Sequence, residues 1–170
     1  MNPYVGLVSS LRAAWLSGKT RAAEHRVSQL EALGRFLDDK KQPILDAMAS
    51  DMRKVSRAEL SEIILVKNQV NYALNNLSSW MKDEGVDKNL VTQLDTAFIR
   101  KEPYGVVLII APWNYPLHLI LVPLVGAIAA GTGPTPSIVP TCSRAWLLTQ
   151  SLPPAPNETP GVFYGGHILP

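Results

Sequence analysis

The segment 106–116 most constrains what this chain can fold into. Its first five residues, Val106–Ile110, are apolar, uncharged and mostly β-branched, which predicts a short strand buried on both faces. Pro112 has no N–H to give to a neighbouring strand, so we expect the strand to end there. The tripeptide Trp113-Asn114-Tyr115 then stands at the carboxyl end of a strand, where open α/β folds bind their ligands.

Asn114 is the only uncharged amide in this apolar neighbourhood. A preorganised Asn amide can donate a hydrogen bond to a developing oxyanion, and removing one such donor costs about 2.7–4 kcal/mol of barrier. An Asn in this place can instead cap the helix that follows, because its side chain accepts bonds from the first helical amides. The spacing leaves both roles open.

The first part of the chain predicts three helices. The apolar positions of Val5–Leu16 form a helical stripe, which Gly18 ends. Thr20 can cap a second helix, and Pro43 suits the first turn of a third. The second helix has its apolar stripe at Val27, Leu30, Leu33 and Leu37.

The longest predicted helix covers Arg57–Lys82. Ser56-x-x-Glu59 forms a capping-box pattern at its start, and Gly85 follows its end. One face stays apolar through several turns, at Leu60, Ile63, Val66, Val70, Leu74, Leu77 and Met81. Such a stripe is typical of a packing face rather than of a binding surface.

Two further elements follow the helices. Val91–Arg100 alternates two sets of side chains and predicts a strand, which a turn at 103–105 folds back on Val106–Ile110 as a hairpin. Pro116–Ala130 predicts a helix that Pro123 kinks or splits. Its continuous apolar part, Leu119–Ala130, is shorter than the roughly 20 residues that cross a bilayer, so we interpret it as core.

Composition excludes several classes of function. A formal net charge of +2 argues against a nucleic-acid footprint, and a single Cys rules out a disulfide framework within the chain. The N-terminus lacks the basic start and apolar core of a secretory signal. His25, His118 and His167 show no metal-ligand spacing, so no metal site is predicted.

The chain changes character after Gly131. Residues 1–131 hold 28 charged side chains, whereas residues 132–170 hold two of them and eight of the fourteen prolines. No helical or strand period survives that proline spacing, so we expect a Pro-rich, disordered tail over 132–170 after a folded region over 1–131. Without a second strand beside it, Val106–Ile110 would keep open edges.

The residues around Asn114 resemble those of the aldehyde dehydrogenase family. Pro112-Trp113-Asn114-Tyr115-Pro116 comes in the family's order with Gly105-Val106-Val107 before it and Ala127-Ile128-Ala129-Ala130-Gly131 after it. The segments 80–84 and 98–103 look most like the 3B members of the family's class 3 branch. The resemblance covers roughly residues 4–131 and stops where the family continues with Asn and a buried strand that ends in Lys-Pro-Ser-Glu.

The resemblance implies oxidation of aldehydes to carboxylic acids with NAD or NADP. In the family, a Cys thiolate attacks the carbonyl, hydride leaves to the nicotinamide, and a Glu-activated water hydrolyses the thioester. The strand near 91–100 belongs to the part of the family fold that builds the dimer. The implied site residues are Asn114 in the oxyanion hole, Ile110, Ala111, Pro112 and Trp113 beside the nicotinamide, and Tyr115 in the substrate funnel.

Residues 132–170 match none of the family's remaining motifs. The nucleophilic Cys, the general-base Glu and the Lys that holds the adenosine ribose have no counterpart in the 170 residues. Cys142 follows Asn114 by 28 positions and lacks the Gly-Gln-x-Cys loop of the family nucleophile, so we interpret it as idle. The resemblance to the family ends at the residue where the charge and proline content change, which suggests a shifted reading frame or an alternative exon. Sequencing the transcript across codon 131 tests this.

The patterns together with the family resemblance imply an incomplete α/β fold. It contains N-terminal helices, a β-hairpin and the first strand–helix unit of a Rossmann-like cofactor domain, followed by the disordered tail. The predicted protein is a truncated aldehyde dehydrogenase family member, inactive alone and cytoplasmic, with no membrane anchor in this chain and no nucleic-acid partner. Two alternatives stay open: a non-catalytic protein that pairs with full-length subunits, and a small helical binding module unrelated to enzymes.

Overall fold

The computed structural model describes residues 4–53, 59–87 and 96–138. Its helices are α1 (Tyr4–Leu16), a 3-10 turn (Lys19–Arg21), α2 (Ala23–Asp39), α3 (Lys41–Met52), a π-helical turn (Glu59–Ile64), α4 (Leu65–Trp80) and α5 (His118–Ala129). Its strands are β1 (Glu84–Gly85), β2 (Phe98–Ile99), β3 (Val106–Ala111) and β4 (Gly133–Ile138). This mixture of helices with a small sheet confirms the predicted fold class.

The core lies between α2, α4 and α5. Leu30, Leu33 and Leu37 of α2 are buried, as the apolar stripe of this helix predicts. The buried residues of α4 recur every three or four positions, at Val66, Val70, Ala73 and Leu77. Helix α5 packs against both of these helices with a nearly continuous apolar surface, which includes Ile120, Leu121, Leu124 and Val125.

The long helix predicted over 57–82 is a π-helical turn followed by α4, and residues 57 and 58 lie outside the described ranges, as does the Ser56 of the capping box. Leu60 is 60% exposed, so its predicted place on the apolar face is wrong. The π turn is the reason, because its i→i+5 bonds shift the side chains around the axis relative to an α-helix. Ile63 is buried, as the apolar stripe predicts, and Glu62, four residues before Val66, is buried as well. Met81, beyond the last residue of α4, is exposed as well.

The first three helices agree with the sequence at their ends except at Thr20. Gly18, with φ of 80°, follows α1, and Pro43 lies in the first turn of α3. The prediction that Thr20 caps α2 is wrong, because α2 begins at Ala23 and the Thr20 hydroxyl instead donates to the Gly131 carbonyl at 2.8 Å. A contact 111 residues away in sequence therefore takes the side chain that local spacing assigned to a cap.

A parallel strand pair forms the end of the described chain. Strand β3 pairs with β4 from Val106↔Gly133 to Ala111↔Ile138, and α5 connects the two strands. The predicted end of regular structure at Gly131 is therefore wrong for 133–138, and one edge of β3 is covered. Pro134 and Pro136, two residues apart, lack the N–H on the same edge, which suits a strand at the margin of a sheet. Residues 139–170 lie outside the described ranges, and the domain boundary at 131 stays a prediction.

Strand β3 is buried on one face only. Ile109 and Ala111 are 8% and 2% exposed, whereas Leu108 and Ile110 are 62% and 66% exposed. The prediction of burial on both faces is wrong for the described chain, because α5 packs against β3 and no described element covers Leu108 and Ile110. Helix α5 itself runs unbroken through Pro123, so the predicted helix is not split there.

The antiparallel pair in the structure consists of different strands from the predicted hairpin. Strand β2 pairs antiparallel with β1, with Glu84 opposite Ile99, and not with β3. Two ion pairs flank this pairing: Arg100 forks onto the Asp83 carboxylate at 2.9 and 2.7 Å, and Lys101 contacts Glu84. The charged residues beside the strands, which the alternation pattern ignored, favour this pairing. Half of the predicted strand Val91–Arg100, residues 91–95, lies outside the described ranges, and β2 covers two residues of the other half.

Candidate functional site

The predicted site residues lie at the end of β3 and on the loop that follows it: Ile110 and Ala111 are the last residues of the strand, and the loop holds the other four. Ala111, at the end of the strand, is 2% exposed and fixes the start of the loop in the core. Pro112 to Tyr115 are exposed, with Trp113 at 58% and Tyr115 at 41%, and Asn114 stands between them. Pro116 and Leu117 are buried again. The loop thus presents four residues to solvent between two buried anchors.

Glu62 binds the backbone of Leu117, the buried residue at the end of the loop. Its Oε2 accepts hydrogen bonds from the backbone amides of Leu117 at 3.2 Å and His118 at 2.9 Å, the first amides of α5. The side chain is fully buried, so the carboxylate meets the positive end of the helix away from water. The His118 ring Nδ1 lies 3.0 Å from the Ser61 carbonyl and donates to it in the Nδ1–H tautomer. Ser61 and Glu62, neighbours in the π turn, therefore both bind the start of α5.

This geometry decides one of the two roles considered for Asn114. The N-cap position of α5 is Leu117, which makes no side-chain capping bond, and Glu62 takes the first amides instead. Asn114 lies three residues before that position, so the interpretation of Asn114 as the helix N-cap is wrong. The amide stands on the exposed part of the loop, at the carboxyl end of a parallel strand, where it can face a ligand.

Arg26 holds the opposite end of α5. Its guanidinium donates to the carbonyls of Ala129, Thr20 and Arg21 at 3.0, 3.0 and 2.9 Å. Burial of the side chain lowers the pKa of Arg26, and the nearby positive charge of Arg21 lowers this pKa further. The Arg26 guanidinium lies at the negative end of the α5 dipole, and the Glu62 carboxyl group accepts hydrogen bonds at its positive end, so both contacts stabilise the helix beside the site.

The sequence reasoning missed Glu62 and Arg26. Glu62 lies four residues before Val66, on the stripe that the helical pattern assigned to the core, and a carboxylate on a buried stripe is the signal that could have found it. Arg26 gave no comparable signal, since its partners at 129 and 20–21 come together only in the folded chain.

His25 is half-buried on α2, whereas Cys142 and His167 lie outside the described ranges. Within 4–53, 59–87 and 96–138, no group of three or more His, Cys, Asp or Glu residues could hold a metal ion. Over the same ranges, no helix is both long and apolar enough to cross a membrane.

Comparison with known proteins finds relatives for most of this chain. A model of the aldehyde dehydrogenase family matches residues 8–133. Human aldehyde dehydrogenase family 3 member B1 is 58% identical over 132 residues, which are 77% of this chain and 28% of the human protein. The chain therefore spans less than a third of the length of this relative. The match to the family model ends at residue 133, two residues after Gly131, where the composition changes.

Solved structures agree with the sequence relatives. A substrate-bound AldH from Staphylococcus aureus superposes with a TM-score of 0.83 at 32% identity, over 89% of this chain and 33% of that one. A mutant of aldehyde dehydrogenase C from Pseudomonas syringae, solved with NAD+ and octanal, superposes with a TM-score of 0.66 at 25% identity, over 83% of this chain and 28% of that one. The helices, β3 and α5 thus have the arrangement found in complete structures of this kind.

Proposed function

This chain belongs to the aldehyde dehydrogenase family, and from that premise we propose that it carries the oxyanion-binding side of an active site that oxidises aldehydes to carboxylic acids. The proposal gives Asn114 the role of oxyanion donor and Tyr115 a place beside the aldehyde. The observation that carries it is that Asn114 is an exposed residue on a loop anchored at Ala111 and Leu117. A donor fixed in this way needs little reorganisation when charge develops.

The proposed chemistry begins when a Cys thiolate adds to the aldehyde carbon. The carbonyl π electrons move to oxygen, and the Asn114 amide donates a hydrogen bond to the oxyanion that forms. Transfer of a hydride to a nicotinamide would then leave a thioester, and water would hydrolyse it to the acid and the free thiol with a Glu as base. The thiolate and this Glu have no counterpart among the 170 residues, so we propose that the chain alone does not turn over.

We propose NAD or NADP as the cofactor of the complete site, with Ile110, Ala111, Pro112 and Trp113 beside the nicotinamide. The exposed side chains of Ile110 and Trp113, at 66% and 58%, fit an aromatic ring at the carboxyl end of β3. The nicotinamide supplies a hydride acceptor when it is bound. The solved relative from Pseudomonas syringae holds NAD+ and octanal, which supports this cofactor and substrate class.

A transplant tests the proposal. Residues 4–131 replace the matching segment of the human relative, and Asn114→Ala is compared with the unmutated chimera. We expect a loss of kcat of about a hundredfold, because one oxyanion donor is removed. The control is Asn71→Ala, an exposed amide on α4, which should keep full activity. An unchanged kcat in Asn114→Ala would show that this chain does not supply the oxyanion donor.

The alternative is a non-catalytic role in which the chain pairs with itself or with a full-length subunit. The exposed side chains of β2 favour it, since Phe98 and Ile99 are 46% and 53% exposed on a two-residue strand. A sheet margin of this kind can add a strand from a partner. Co-elution with the human relative from a sizing column, lost in Phe98→Lys, supports this role; separate elution refutes it.

The cytoplasmic location and the origin of residues 132–170 stay predictions. Fluorescence microscopy of the tagged chain tests the location, and transcript sequencing tests the origin. An in-frame continuation that resembles a related family member would refute the shifted frame.

A further inference from the structure

The start of α5 depends on a side chain far away in sequence. Glu62 is 0% exposed, and its Oε2 reaches the amides of both Leu117 and His118. The neighbouring Ser61 carbonyl binds the His118 ring. A buried carboxylate is unfavourable unless hydrogen bonds compensate its lost hydration, so these amides are fixed partners and not incidental contacts.

We propose that Glu62, with the Ser61 carbonyl and the His118 ring, is the positioning unit of the Asn114 loop. The inference rests on the proposed role of Asn114 and deepens it. Only Tyr115 and Pro116 separate Asn114 from Leu117, the first residue that Glu62 holds. Glu62 does not reach a substrate; it acts by fixing where the loop ends.

Further contacts link the position of Asn114 to the C-terminal end of the loop at Leu117. Ala111 fixes the start of the loop in β3, and residues 112–115 between the anchors are exposed. The Tyr115 carbonyl accepts a bond from the Leu119 amide at 2.9 Å, so the residue next to Asn114 is tied to the first turn of α5. A shift of the helix start therefore moves Asn114. Displacements of about 1 Å at a reacting centre can lower turnover by about a hundredfold.

The carboxylate lies in the π turn, beside Ser61. Its four-residue spacing to Val66 places Glu62 on the buried face of the helix, and the altered register of the turn leaves Leu60 exposed. π turns occur often at functional sites, and here the turn carries the two residues that bind the start of α5.

Four variants in the same chimera with the human relative test the inference. Glu62→Met keeps the volume but removes the acceptor, whereas Glu62→Gln keeps an acceptor oxygen at the same reach. Arg26→Met is the matched control, because it removes a buried clamp at the other end of α5. The fourth variant combines Glu62→Met with Asn114→Ala. Thermal melts give the folded fraction, and kcat and KM are measured where each variant is folded.

We expect Glu62→Met to lower kcat of the folded enzyme by about ten- to a hundredfold with little change in KM, since the oxyanion forms only in the transition state. Glu62→Gln should restore most of kcat. Arg26→Met should lower the melting temperature but leave kcat of the folded enzyme within about twofold. The double variant should be no slower than Asn114→Ala by more than about threefold, because both changes remove one function.

Several results would overturn the inference. A folded Glu62→Met enzyme with unchanged kcat, or an Arg26→Met enzyme that loses as much, would reduce Glu62 to a purely structural residue. So would fully additive losses in the double variant. An unchanged kcat in Asn114→Ala alone would reject the proposed function and the inference together. If Glu62→Met does not fold, Glu62→Asp replaces it, because a side chain one methylene shorter withdraws the carboxylate from both amides.

Discussion

A Cβ atom built on Gly131 would lie 2.6 Å from Cζ of Arg26, closer than such atoms approach in real proteins. Gly131 has φ of 75° and ends α5: its amide donates to the Ile128 carbonyl, and the Thr132 amide donates to the Ala127 carbonyl. This pair of bonds is the Schellman arrangement, which needs a left-handed residue after the helix. The guanidinium of Arg26 fills the space that any larger residue would need.

Gly131→Ala should therefore destabilise the chain. The left-handed conformation costs a non-Gly residue about 1–3 kcal/mol, and displacement of Arg26 adds to this. Chemical denaturation followed by circular dichroism measures the change. The matched control is Gly126→Ala in the same helix, where the added Cβ meets nothing within 4 Å. We expect that substitution to stabilise the chain by about 0.5–1 kcal/mol, because Gly is unfavourable within a helix.

A stabilised Gly131→Ala chain would contradict the clamp between Arg26 and the end of α5. Equal destabilisation by Gly126→Ala would point instead to a general intolerance of side chains on this helix.

Arg26→Met tests the clamp from its other side. Three carbonyls lose a charged donor, and each such hydrogen bond contributes about 1.5–3 kcal/mol, so we expect a loss of at least about 2 kcal/mol. Arg35→Met is the control on the same helix, since Arg35 is exposed and its contact with Glu31 is 3.8 Å long. Exposed pairs of this kind contribute about 0.3–0.5 kcal/mol. Similar losses in both variants would refute the importance of the buried bonds.

The sequence predicted the elements whose information is local. The stripes at Leu30, Leu33 and Leu37 and at Val66, Val70 and Leu77 gave the packed helices, because burial on one face imposes a period on the residues. The apolar run at Val106–Ile110, ended by Pro112, predicted the strand that the structure forms at Val106–Ala111, and the candidate site follows from that strand's carboxyl end.

The parts that the sequence did not predict depend on distant partners. Thr is a residue type that often caps helices, but the hydroxyl of Thr20 donates to the Gly131 carbonyl instead. Glu62 binds amides 55 and 56 residues away, and Arg26 binds the Ala129 carbonyl 103 residues away, contacts that no local period records. Strand β4 was missed since Pro134 and Pro136 disfavour a central strand, and only the paired backbone shows that the segment lies beside β3.

The ion pair between Asp83 and Arg100 predicts a pH dependence for the hairpin. The hydrogen bond from Arg100 lowers the pKa of Asp83, and the charge of Arg100 adds to this effect. Because the folded pKa lies below the unfolded value, the contribution of the pair is present above a pH of about 4 and is lost as pH falls through the folded pKa. We expect the pairing of β1 with β2 to weaken over that range.

Nuclear magnetic resonance titration of the Asp83 carboxylate measures this effect. Arg100→Gln should return the pKa of Asp83 towards its ordinary value. Lys101→Gln, which removes the neighbouring pair with Glu84, should leave the pKa of Asp83 nearly unchanged. The same pKa in the unmutated chain and in Arg100→Gln would rule out the pair as the cause.

Strand β4 covers one edge of β3, so we expect a chain shortened before β4 to expose that edge. A chain of residues 1–132 removes β4 and leaves the backbone of Val106–Ala111 without its parallel partner, beside the exposed side chains of Leu108 and Ile110. An uncovered apolar strand of this kind is a template for aggregation. A chain of residues 1–138 keeps the pairing. We therefore expect light scattering on mild heating from the 1–132 chain, and a cooperative melt by circular dichroism from the 1–138 chain.

Leu108→Lys in the 1–132 chain should suppress the scattering, because a charge on the exposed face opposes strand addition. Equal scattering from the 1–132 and 1–138 chains would show that β4 does not protect this edge, and that the core of α2, α4 and α5 alone decides whether the chain stays in solution.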